Sequence, residues 1–200
     1  MTFLRDRQRA AEVWRRFRHD GELFTSMRED GIWVVRVGAT AERTLELFHE
    51  LAAELTGTVQ LSLVRLRDDA GWHGSQLALA DVREGIARLR VPLASAGGVE
   101  VSVYTADDQL TVSAQLALHL FSRSDRWRDF LLSRGLQERR ALPDRRWARS
   151  REDFATSPAL DGVIESIASA LSLSRSLATA APDATAAPGA TAAPAAESRS

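Results

Sequence analysis

Between Asp30-Gly31 and Gly57 the hydrophobic period changes twice, and this constrains the fold most. Trp33, Val35 and Val37 alternate with Ile32 and Val34, the period of a strand. Leu45, Phe48, Leu51, Ala52 and Leu55 then fall at helical spacing over residues 40–55. Val59, Leu61 and Leu63 return to alternation over 58–66. Thr40 stands where an N-cap side chain is needed, and Gly57 where a helix stops. This spacing predicts a βαβ unit with 31–37 and 58–66 parallel in one sheet. Asp30-Gly31 predicts a type I′ turn pairing 22–29 with 32–37, because both central residues need positive φ.

The remaining segments extend this pattern. Residues 2–19 place Phe3, Ala10, Val13, Trp14 and Phe17 on one helical face among arginines. Residues 67–75 read as a loop. A helix from about Asp81 carries Val82, Ile86, Leu89 and Leu93, with a kink or break expected at Pro92. A second hairpin pairs 99–105 with 109–114 through Asp107-Asp108, setting Val103 against Val112 and Val101 against Ala114. Residues 115–134 read as helix, with Leu116, Leu120 and Phe121 opening it. Ser124 is positioned to cap a second piece bearing Trp127, Phe130 and Leu131, and Gly135 to close it. Ser157-Pro158 opens a last helix with Leu160, Val163, Ile164, Ile167 and Leu171 as its stripe. Ala-Thr-Ala-Ala-Pro recurs three times from Ala178, which predicts a disordered low-complexity tail.

The expected fold is therefore α+β. It has a single mixed β-sheet of about five strands, a βαβ unit plus two hairpins, packed with helices and followed by a helical C-terminal region. Four parts are expected: an N-terminal basic amphipathic helix at 1–20, the core at 21–135, an Arg/Trp-rich strap and C-terminal helix at 136–177, and the tail at 178–200.

Composition removes chemistries. The chain has no Cys, and all 26 positive side chains are Arg, so Lys is absent, as is Asn. Thiolate and zinc-thiolate sites, Schiff-base lysines and Walker A lysines are excluded. No HExxH, Gly-x-Ser-x-Gly or GxGxxG spacing occurs, and no cofactor is expected. The codon bias behind this usage points to a G/C-rich bacterial genome. The N-terminus is charged within five residues and lacks the apolar run of a secretory signal, so a cytoplasmic location is expected. No run of about 20 apolar residues suggests a membrane span.

The net charge of -1 conceals segregation. Residues 1–19 carry six Arg against Asp6 and Glu12, and residues 20–122 carry eight Arg against fifteen acids. Residues 123–151 carry ten Arg against Asp125, Asp129, Glu138 and Asp144. The stretch 121–154 interleaves these ten arginines with Phe121, Trp127, Phe130, Trp147 and Phe154. It has three readings: an internal strap paired with the acidic body, a protein interface, or a nucleic-acid patch. The candidate partner-binding residues are Arg126, Trp127, Arg128, Arg139, Arg140, Arg145, Arg146, Trp147 and Arg149. An acidic protein surface is the favoured partner, with nucleic acid as the alternative. Asp68, Asp69 and His73 are weaker candidates for catalysis or metal binding, and would make a small hydrolase or metal-dependent enzyme. Without a catalytic constellation, the sequence favours a non-catalytic subunit, adaptor, chaperone or immunity-type partner of a larger assembly.

Overall fold

The computed structural model describes residues 22–143, Phe154 and residues 157–177. These residues form an α+β fold built on one mixed nine-strand sheet with four helices. The strands are β1 (Leu23–Glu29), β2 (Ile32–Gly38), β3 (Thr58–Arg65), β4 (Ala70–Ala78), β5 (Val99–Tyr104), β6 (Asp108–Val112), β7 (Leu118–Ser122), β8 (Gln137–Glu138) and β9 (Ser174–Leu177). The helices are α1 (Ala41–Ala53), α2 (Leu79–Ala96), α3 (Arg126–Ser133) and α4 (Pro158–Ala170). The sheet order is β8-β1-β2-β7-β6-β5-β3-β4-β9, and every pairing is antiparallel except β1 with β8.

Local chemistry explains several elements. Asp30 and Gly31 have φ of 48° and 83°, as the type I′ turn requires. Thr40 caps α1 by accepting from the Arg43 amide, and Ser157 caps α4 by accepting from the Leu160 amide. Pro158 occupies the first turn of α4, where its missing N–H costs nothing. α3 ends in a Schellman motif: the Gly135 amide donates to Leu132 and the Leu136 amide to Leu131.

The βαβ expectation holds in direction but not in adjacency. The chain of antiparallel pairings makes β2 and β3 run the same way, with β7, β6 and β5 between them. The β5–β6 hairpin pairs Val101 with Val112 and Val103 with Leu110, two residues from the expected register. A shift of two keeps every side chain on its face, so the apolar assignment survives. The turn sits at Ala106-Asp107, where the Thr105 hydroxyl accepts from the amides of Asp107 and Asp108.

The sheet has nine strands where about five were expected, because 70–78, 118–122, 137–138 and 174–177 also pair, and three segments differ locally from the sequence reading. Residues 70–75 are not loop but the start of β4, paired with β3 and β9. Residues 118–122 are the strand β7 rather than helix. Leu116, Leu118 and Leu120 are buried at a period of two, which the i, i+4 spacing of Leu116 and Leu120 had masked. α2 also runs unbroken through Pro92. Proline removes one hydrogen bond, and the buried Leu89 and Leu93 on either side hold both halves to the core.

The core lies on one sheet face. Phe24, Val35, Leu120, Leu110, Val103 and Leu63 face it from successive strands. All four helices contribute to the same cluster, among them Phe48, Ile86, Trp127 and Ile164. Each such side chain contributes roughly 1.5–3 kcal/mol by leaving water. The low-complexity tail and the segment 2–19 lie outside the described residues.

Candidate protein interface

The arginine-rich segment enters the fold at the end of β7. Asp108 and Ser122 are directly paired across β6 and β7, and both are buried on the core side. Asp108 Oδ1 accepts from Ser122 Oγ at 2.6 Å and from Trp127 Nε1 at 2.9 Å, and its Oδ2 accepts from Arg126. The buried carboxylate thus has donors on both oxygens. The Arg126 guanidinium lies 4.1 Å from the Trp127 ring centroid. Phe130 meets Trp127 edge-on at 6.2 Å, and Arg134 covers Phe130 at 4.8 Å. Two guanidinium groups therefore flank the edge-on Trp127–Phe130 pair along α3, and the contacts to Asp108 seat the helix on the sheet.

Trp127 is 1% exposed. Its place at i of the Trp127, Phe130, Leu131 stripe already pointed inward, and in this conformation it presents no surface to a partner. Arg126 is half-exposed and shared between Asp108 and the Trp127 ring. Arg128 reaches Glu138 with Nε at 2.9 Å and Nη2 at 2.8 Å. Ser26 Oγ donates to the other oxygen of Glu138. Arg128 first, then Ser26, holds the Glu138 carboxyl below its ordinary pKa. Arg134 pairs with Glu50 of α1 at 2.7 Å. Arg43 joins Glu22, Glu46 and Glu50 into the same network.

Arg139 and Arg140 differ. The Arg139 amide fastens the chain to Phe24 O at 2.8 Å, while its guanidinium meets only the neutral Gln137 side chain. Both arginines are exposed, and neither has an acidic partner among the described residues. Leu132, one helical turn beyond Arg128, is 41% exposed. Arg145, Arg146, Trp147 and Arg149 lie outside the described residues.

The 68–75 candidates are separated by the fold. Arg65 grips Asp68 with two hydrogen bonds, Nε at 2.9 Å and Nη2 at 2.7 Å, and this lowers the Asp68 pKa. Arg65 and Arg67 also share Asp161 at the start of α4, each at 2.9 Å. Trp72 is buried, with Arg65 at 5.3 Å and Arg175 at 5.5 Å from its ring. His73 is exposed on the opposite sheet face, paired with Ser62 and Ser174. Asp69 sits in the turn with φ of 53°. Among the described residues there is no group of three or more His, Asp or Glu able to hold a metal ion. No described helix is long and apolar enough to cross a membrane.

Two features escaped the sequence reading. Asp108 looked like a turn residue, and only the cross-strand pair with Ser122 reveals its role. Arg65 looked like the end of a strand, and its partner Asp161 is 96 residues away. No family model, curated protein or solved structure matches the chain.

Proposed function

We propose that this protein is non-catalytic and works by binding another protein through a basic rim centred on the exposed Arg139 and Arg140. The supporting observation is the division among the arginines. Arg126, Arg128 and Arg134 are engaged by Asp108, Glu138 and Glu50, whereas Arg139 and Arg140 are exposed and have no acidic partner among the described residues. Exposed arginines suit an interface with an acidic protein surface, where arginine is a frequent anchor. The internal pairing of the other arginines weighs against a nucleic-acid patch, because those charges are already neutralised.

Affinity purification from the native cell followed by mass spectrometry tests this. The double variant Arg139→Ala, Arg140→Ala is expected to lose a partner that the unaltered chain retains. Every captured protein remaining bound would reject the rim. Steeply salt-dependent binding of DNA or RNA by the purified chain would replace the reading with nucleic-acid recognition.

A further inference from the structure

The sheet face opposite the helices is not an ordinary solvated face. The pairings align Met27, Val34, Phe121, Gln109, Tyr104 and Gln60 in one row across β1, β2, β7, β6, β5 and β3. Val34 is 8% exposed, yet it stands outside the core cluster to which all four described helices contribute. In the adjacent row Thr111 and Ser102 are 7% and 1% exposed, with their hydroxyls 2.9 Å apart. Glu100, on the same face, is half-buried and has no hydrogen-bond or charge partner among the described residues. Desolvation raises its pKa.

We infer that residues 2–19 dock on this face as an amphipathic helix, with Trp14 and Phe17 against the row of Met27, Val34, Phe121 and Tyr104. The described residues begin at Glu22, immediately before β1, the strand that supplies Met27. An 18-residue helix is about 27 Å long. The row from β1 to β5 crosses four strand spacings, about 19 Å, so the helix is long enough to cover it. The apolar stripe Phe3, Ala10, Val13, Trp14 and Phe17 supplies what the row lacks. The segment carries six Arg against two acids, and the face presents Glu29 and the desolvated Glu100. A guanidinium beside Glu100 would restore the partner that carboxylate lacks.

Because the chain has no native Cys, introduced thiols report cleanly. The test measures maleimide modification of Val34→Cys, with the exposed Val91→Cys on α2 as the control. In the full chain Val34→Cys is expected to react at least about tenfold more slowly than the control, at every protein concentration. Adding Trp14→Asp and Phe17→Asp is expected to remove most of that protection while the control is unchanged. Equal protection with and without the two aspartates, in chains of unchanged circular dichroism, overturns the proposal. Protection that grows with protein concentration also overturns it and assigns the face to a second copy. If the aspartate variant does not fold, a bifunctional maleimide decides the matter in the otherwise unaltered chain. An intramolecular link between Ala10→Cys and Thr111→Cys supports docking, and its absence rejects it.

Discussion

Replacing Asp108 with alanine is expected to be among the most damaging single changes in the sheet. The variant removes the acceptor for Ser122 Oγ and Trp127 Nε1, both of which are buried. A hydrogen bond to a charged group contributes about 1.5–3 kcal/mol, and a buried donor left without an acceptor costs about 1–3 kcal/mol. Arg126 is 40% exposed at its side chain, so its guanidinium can turn to water and adds little to the loss. Two stranded donors then give a destabilisation of roughly 3–5 kcal/mol. In a chain of this size that lowers the melting temperature by roughly 6–20 °C. Denaturant titration followed by tryptophan fluorescence gives the free energy, and thermal circular dichroism gives the temperature. Asp108→Asn isolates the charge, since its carbonyl oxygen still accepts from Ser122 and Trp127. It should cost less than half as much as the alanine variant. Trp127→Phe removes the Nε1 donor together with part of a buried ring, so the hydrogen bond is read from its coupling with Asp108→Ala in a double-mutant cycle, expected at about 1 kcal/mol or more. A loss below 1 kcal/mol for Asp108→Ala, or additive effects in the cycle, would refute the account of α3 seating.

Other expectations follow from single contacts. Gly98→Ala places a Cβ 2.9 Å from the Phe154 ring at a φ of +77°, whereas Gly31→Ala at +83° meets nothing within 4 Å. Both carry the left-handed penalty of about 1–2 kcal/mol, so Gly98→Ala should be the more destabilising in denaturant titration. Glu138 has a depressed pKa when folded, so its contribution is present above the unfolded carboxylate pKa and is lost as pH falls through the folded value. Glu138→Gln should therefore flatten the acid side of the stability profile. Glu100 behaves in the opposite sense: its raised folded pKa makes stability fall as pH rises from the unfolded to the folded value. In the Trp14→Asp, Phe17→Asp chain, where no docked arginine faces Glu100, Glu100→Gln should stabilise the fold at neutral pH and have little effect at pH about 3, where both states are protonated.

What could be read along the chain was what local chemistry decides. The Asp30-Gly31 turn, the Thr40 and Ser157 caps and the Gly135 stop each depend on residues within a few positions. β7 was misread because Leu116, Leu120 and Phe121 satisfy a helical pattern as well as a strand. Its pairing with β2 and β6 is what decides between them. β4 was hidden by glycines and polar residues, since Gly71, His73 and Gly74 resemble a loop until β3 and β9 bracket them. At the candidate interface the charge segregation was legible, but the identity of the buried anchor was not. Asp108 and Trp127 meet across 19 residues, and nothing in their local spacing announces it.

The strand order has a consequence for how this chain is made. β1–β2 and β3–β4 emerge from synthesis first, yet they become the two flanks of the sheet. β5 can pair with β3 once residue 104 has been added, but β7 reaches β2 only once residue 122 has. Until then β2 presents an unpaired edge to the cell, as β3 does before β5 is complete. Such nonlocal closure is slow, and exposed edges recruit other chains. The nascent protein is thus most vulnerable to misassociation between the birth of β4 and the arrival of β7. A pause in translation within residues 79–122 would lengthen that interval and lower the yield of folded chain.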